Sequence, residues 1–173
     1  MRFILPFLLV SPLFFNAAYA QKATSPKEGT MTYFDKIKDA FARLDKNNLQ
    51  VVDEFYDQNA EFHDPIGSVK TAAKIKAYYG EMYKNVKHIK FDFTDAVQQD
   101  QNVAAVWTMT YSTEQLNDGK DIIVHGTSII KFGGSENKVI YHRDYFDVGS
   151  MVYEHIPLLG WGVRKVKSKL GEH

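Results

Sequence analysis

"HIKFDFTDAV", residues 88–97, decides the fold. Ile89, Phe91 and Phe93 alternate with Lys90, Asp92 and Thr94, so an extended chain here has one apolar face and one polar face, as a half-buried strand requires. Before this stretch the apolar spacing is helical. Phe34, Ile37, Phe41 and Leu44 recur at intervals of three and four, which predicts a first helix ending before "DKNN" at 45–48. Leu49, Val52, Phe55 and Tyr56 give a shorter second helix its face, and the chain then leaves through "DQNAEFHDPIG" at 57–67, where Pro65 and Gly67 force a turn. A third helix begins near Thr71, an N-cap residue, and places Ile75, Tyr78, Tyr79 and Met82 on its buried side.

After residue 88 strand follows strand. "VAAVWTMTYST" (103–113), "DIIVHGTSIIKF" (121–132) and "KVIYHRDYFD" (138–147) are rich in β-branched and aromatic residues, and "NDG" (117–119) and "GGSEN" (133–137) supply the turns between them. Three helices followed by four strands on short connections predict an α+β domain over residues 31–148, a curved antiparallel sheet wrapped around three helices.

The flanks read differently. "MRFILPFLLVSPLFFNAAYA", residues 1–20, has an early Arg2, an apolar run and a small-residue exit at Ala18-Tyr19-Ala20, which predicts a signal peptide cleaved after Ala20 and a periplasmic or secreted protein. Residues 21–30 read as a flexible leader. Cleavage removes Arg2 from the 21 basic residues and none of the 21 acidic ones, leaving a net charge of minus one, with no global field to draw the chain to nucleic acid. The sequence has no cysteine, which excludes disulfides, thiol catalysis and thiolate metal sites.

"YHRDYFD", residues 141–147, concentrates ionisable groups. Strand alternation puts His142, Asp144 and Phe146 on one face and Tyr141, Arg143 and Tyr145 on the other. The order of elements, the "HDPIG" turn at 63–67 and the "RDYFD" ending at 143–147 together resemble the nuclear-transport-factor-2-like superfamily, the cone-shaped α+β fold of SnoaL-like polyketide cyclases, ketosteroid isomerase and limonene epoxide hydrolase. The stretch at 49–67 is similar to ketosteroid isomerase and matches Asp64 to its general base; "RDYFD" is similar to limonene epoxide hydrolase and matches Asp144 to a catalytic aspartate. The resemblance also marks departures. Ala40 and Ser128 stand where the isomerase holds its enolate oxygen, and Trp107 and Met109 where the hydrolase has an arginine and a second aspartate.

What the resemblance implies is a cavity lined by the face carrying His142, Asp144 and Phe146, with Trp107, Met109, Ser128 and Ile130 also inward. Asp64, His142 and Asp144 are then the expected catalytic residues, for acid/base isomerase, cyclase or hydratase chemistry on a small hydrophobic molecule, with no cofactor. His63 with Asp64 and His142 with Asp144 carry metal-compatible donors, but no dense motif such as HExxH occurs, and no metal is expected. The alternatives are a noncatalytic ligand-binding protein and a dimeric interaction module; a homodimer is the expected assembly. The extension at 149–173 ends in a short helix with Val163, Val166 and Leu170 on one face and Arg164, Lys165, Lys167 and Lys169 elsewhere. Docking of that apolar face on the domain is expected, with contact to anionic lipid as the alternative.

Overall fold

The computed structural model describes residues 31–171, so the expected signal peptide and flexible leader lie outside the described residues. The first helix, α1 (Tyr33–Arg43), opens on a reciprocal cap: Asp35 N–H donates to Thr32 Oγ1 and the Asp35 carboxylate accepts from the Thr32 backbone. It buries Ile37, Ala40 and Phe41. A five-residue α2 (Val51–Phe55) buries Val51, Val52 and Phe55. The third helix, α3 (Ala72–Tyr83), is capped by Thr71 as expected and buries Ile75, Tyr79 and Tyr83, while Tyr78 and Met82 are half-buried.

Six strands form one sheet, two more than the sequence suggests. They are β1 (Tyr56–His63), β2 (Ser68–Lys70), β3 (Val86–Gln99), β4 (Asn102–Thr113), β5 (Ile122–Gly133) and β6 (Lys138–Phe146), in the order β2-β1-β6-β5-β4-β3. All pairs are antiparallel except β1 with β6, so the sheet is mixed. The segment expected to be an irregular exit from α2 is therefore strand β1, with Ala60 and Phe62 buried. Its register against β6 slips between Tyr56 and Glu61, and the polar Asp57, Gln58 and Asn59 occupy that irregularity.

The sheet carries two apolar clusters, and the three helices pack on it through the larger one. The larger joins Ile37, Phe41, Val52 and Phe55 to Phe62, Ile75 and Ile130. The smaller gathers Trp107, Met109, Tyr111, Ile122 and Val124 towards one end of the sheet. Ile89, Phe91 and Phe93, the alternating residues of β3, pack against both. Beyond β6 come α4 (Val148–Met151), a short 3-10 turn (Tyr153–His155) and α5 (Leu159–Gly171). Tyr111 Oη donates to the Met151 carbonyl at 2.5 Å and ties α4 to β4.

Docking of the α5 apolar face is not what the structure contains: Val166 is 58% and Leu170 70% exposed. Helix α5 is held from its other side, where Lys167 Nζ lies 2.9 Å from Asp147 and Arg164 Nη1 donates to the Glu154 carbonyl at 2.6 Å. The burial of Gly160 follows from the same approach, since a Cβ there would stand 2.2 Å from the Glu154 carbonyl oxygen.

Candidate functional site

Where the two clusters meet, a narrow cavity of about 30 Å³ remains. Its wall is mostly aromatic, with Phe41, Phe62, Phe91, Trp107 and Phe146. Met82, Met109 and Met151 close it with unbranched side chains that change rotamer readily. Two acids reach it, Asp64 from the turn after β1 and Asp144 from β6, together with Tyr79 and Tyr83 of α3. Among the described residues no lysine, arginine or histidine lines it.

Asp144 is held by a directed set of hydrogen bonds. Its Oδ1 accepts from Ser128 Oγ at 2.5 Å, and His142 Nε2 lies 2.8 Å from the same oxygen. Ser128 and Asp144 are cross-strand register partners, which is why a serine in mid-strand reaches that carboxylate. Trp107 Nε1 donates to Ser128 Oγ at 2.8 Å. On the other side of the imidazole, His142 Nδ1 is 2.6 Å from Tyr56 Oη, and Tyr56 Oη is 3.3 Å from Tyr79 Oη.

One direction satisfies every member. Burial pushes the Tyr56 and Tyr79 phenols well above their ordinary range, so both stay protonated and donate. Tyr79 then donates to Tyr56, Tyr56 to Nδ1, and Nε2–H to Asp144. Oδ1 is thus occupied twice. Oδ2 of Asp144 accepts no hydrogen bond among the described residues, and the side chain is 14% exposed, towards the cavity. A carboxylate with one oxygen fixed and the other open can take a proton from a bound molecule or hold a cationic group.

Trp107 depends on the residue across from it. Gly126 is its register partner on β5, and a Cβ there would lie 2.3 Å from the indole ring. The glycine lets the ring lie flat on β5, with the indole N–H on Ser128.

Asp64 is more fully committed. Its Oδ1 accepts from the backbone of Ile66 and Gly67, both at 2.7 Å, which builds the turn, and its Oδ2 accepts from Tyr78 Oη at 2.6 Å. Tyr78 is raised chiefly by burial and further by that bond, so it remains a donor.

The expected site residues therefore sort by depth. Asp64, Asp144, Trp107, Met109 and Phe146 line one cavity. His142 shares their face but lies behind Asp144, fully buried against Phe41 and Phe62. Ser128 also sits behind Asp144, with its hydroxyl spent on the carboxylate, and Ile130 belongs to the core at 0% exposure, so neither lines the cavity. The sequence expects both at the cavity wall, and the structure holds both deeper. Arg143 lies on the outer face, with its guanidinium 5.3 Å from the Tyr145 ring centre.

Sequence reading did not single out Tyr56, Tyr79 and Tyr83 as site residues. The signal was present, since a tyrosine on the buried side of a helix must find a partner for its hydroxyl. Tyr83 is raised by burial first and by the nearby Asp144 charge second, and its hydroxyl makes no hydrogen bond among the described residues. It lines both the cavity and an outer cleft beside Asp45 and His88. Among the described residues no group of three His, Cys, Asp or Glu is placed to hold a metal ion.

A helix-backed, mixed curved sheet with a small cavity between them is the architecture of the nuclear-transport-factor-2-like class. The profile of the SnoaL-like domain family matches residues 37–142, and the chain belongs to that family. Solved structures share its fold. A hypothetical protein with a ketosteroid-isomerase-like fold from Catenulispora acidiphila DSM 44928, in complex with trimethylamine, is 13% identical, with a TM-score of 0.62 over 72% of this chain and 93% of its own. An NTF2-like protein of unknown function from Burkholderia pseudomallei K96243 is 9% identical, with a TM-score of 0.60 over 69% of this chain and 93% of its own. A candidate SnoaL-like polyketide cyclase from Shewanella denitrificans OS-217 is 16% identical, with a TM-score of 0.59 over 68% of this chain and 92% of its own. No curated protein matches the chain in sequence.

Proposed function

We propose that the protein is exported, that its cavity takes a small apolar molecule presenting one acidic proton, and that Asp144 accepts that proton. The observation that carries the reading is the asymmetry of Asp144: Ser128 and His142 fix one oxygen, and the other faces an aromatic cavity with no basic side chain among the described residues. In an isomerisation, Oδ2 removes a proton from one carbon and returns it to another, so the carboxylate ends as it began and no cofactor is consumed. Tyr83 lines the same cavity and can donate to a polar atom of the same molecule, because its hydroxyl stays protonated and has no partner among the described residues. Asp64, with three hydrogen bonds already accepted, shapes the cavity and its negative field rather than moving protons.

The free volume of about 30 Å³ is small beside the ~300 Å³ or more of a drug-sized site, so the molecule is compact or enters as methionines swing aside. The Catenulispora protein is in complex with trimethylamine, a molecule of similarly compact size. A noncatalytic binding role is the second reading. It is favoured by the commitment of Ser128 to Asp144, which leaves Tyr83 alone to stabilise developing negative charge.

Thermal-shift screening against compact ketones, epoxides and alkylamines tests the proposal, because a ligand of the native state raises the midpoint by mass action. At least one class should stabilise the wild type and do so far less with Asp144→Asn. A turned-over ligand should lose about 10²–10⁴-fold in rate in that variant. Equal stabilisation of both proteins by every ligand would refute the role of Asp144. A second copy is the partner we assign to the outer face of the sheet, where Val106, Ile123 and Tyr145 are exposed, and sedimentation as a monomer at high concentration would refute it.

A further inference from the structure

Helix α5 carries an apolar stripe that the domain does not cover. At about 100° per residue, Leu159, Val163, Val166 and Leu170 fall within roughly 60° of arc. Leu159 is 47%, Val166 58% and Leu170 70% exposed, Val163 among them is half-buried, and Leu158 just before the helix is 86% exposed. This is not a loosely attached end. Lys167 bonds Asp147 and Glu154, Arg164 bonds the Glu154 carbonyl, and Gly160 packs on that same carbonyl. These attachments centre about 90° round the helix from the stripe and leave Leu159, Val166 and Leu170 exposed.

Charge says what covers it. Between Glu154 and Glu172 there is no acidic residue, while Arg164, Lys165, Lys167 and Lys169 are basic. Lys165 and Lys169 lie away from the attached side, with Lys165 Nζ 4.8 Å from the exposed Trp161 ring. A second copy of α5 laid on the stripe would bring like charges together, whereas an anionic surface would be matched by them. No helix among the described residues is long and apolar enough to cross a membrane. An exposed apolar stripe beside basic residues is the pattern of a helix that lies on one.

We propose that α5 is an interfacial anchor, with the Leu159–Val163–Val166–Leu170 stripe in the acyl boundary of an anionic bilayer and its basic residues among the headgroups. The same C-terminal segment supplies Met151 to the cavity wall, seven residues before Leu158, so anchoring holds the cavity end of the domain near the lipid. The anchor does not depend on the chemistry proposed for Asp144.

The test is flotation with vesicles, using protein beginning at Gln21 so that the N-terminal apolar run contributes nothing. All of the compact unit from Met31 is retained. Binding to vesicles of equal parts phosphatidylglycerol and phosphatidylcholine should exceed binding to phosphatidylcholine alone by at least tenfold, since each basic side chain near an anionic surface adds about fivefold. It should fall sharply in about 0.5 M salt. Val166→Asp with Leu170→Asp should abolish it, and Lys165→Glu with Lys169→Glu should weaken it at least tenfold, both with an unchanged thermal midpoint. Equal affinity for neutral vesicles, no binding to either, or a wild-type dimer that the Val166→Asp/Leu170→Asp pair dissociates without any vesicle binding would each overturn the proposal.

Discussion

Replacing Tyr56 by phenylalanine tests whether the buried polar chain is a directed unit. The hydroxyl donates to His142 Nδ1 at 2.6 Å, and the histidine is 0% exposed, so no water can take the place of the lost donor. Leaving a buried acceptor unsatisfied costs about 1–3 kcal/mol. For a domain of this size that lowers the thermal midpoint by roughly 3–9 °C. Tyr79→Phe should cost clearly less, under about 1 kcal/mol, because its bond to Tyr56 is 3.3 Å long and its loss leaves the Tyr56 donation to His142 intact. Urea unfolding monitored by tryptophan fluorescence measures both, with an unchanged dependence on denaturant concentration confirming that the same transition is compared. If Tyr79→Phe cost as much as Tyr56→Phe, or Tyr56→Phe cost nothing, the assigned direction of the chain would be wrong.

Two further outcomes follow from packing and burial. Gly126→Ala should destabilise by about 1–3 kcal/mol and red-shift Trp107 emission, because the new methyl needs space that the indole fills. Alkaline pH should unfold the protein cooperatively. Tyr56, Tyr79 and Tyr83 all have folded values raised by burial, so above the ordinary phenol value near 10 the unfolded chain loses protons that the native one keeps. Their contribution is complete below that value and declines as pH rises, by about 1.4 kcal/mol per pH unit for each tyrosine. A step of tyrosinate absorbance should therefore accompany the loss of helical circular dichroism; ionisation of every phenol within an intact fold would contradict the burial.

Periodicity revealed much of the fold, and its failures have physical causes. Ile89, Phe91 and Phe93 announced β3 because that strand buries one face and wets the other. Strand β1 escaped notice because its register slip carries Asp57, Gln58 and Asn59 where alternation would be read, leaving Ala60 and Phe62 as too short a pattern. Alternation also assigns a face but not a depth. Ser128 pairs with Asp144 and Ile130 with His142, so the second pair lies one step further from the opening, and only the packing of Phe41 and Phe62 over His142 fixes where the cavity ends. The α5 stripe was equally legible as amphipathic, yet nothing in the sequence tells that Lys167 and Gly160 attach the helix by another side.

The central claim is that the free oxygen of Asp144 meets the ligand. Carbon-13 NMR of aspartate carboxyls, titrated with trimethylammonium chloride and then with any stabilising compound from the thermal-shift panel, reads this directly. The Asp144 resonance should move saturably while that of Asp147, held on the surface by Lys167, stays in place. A compound that stabilises the protein and leaves the Asp144 resonance unmoved would contradict the account.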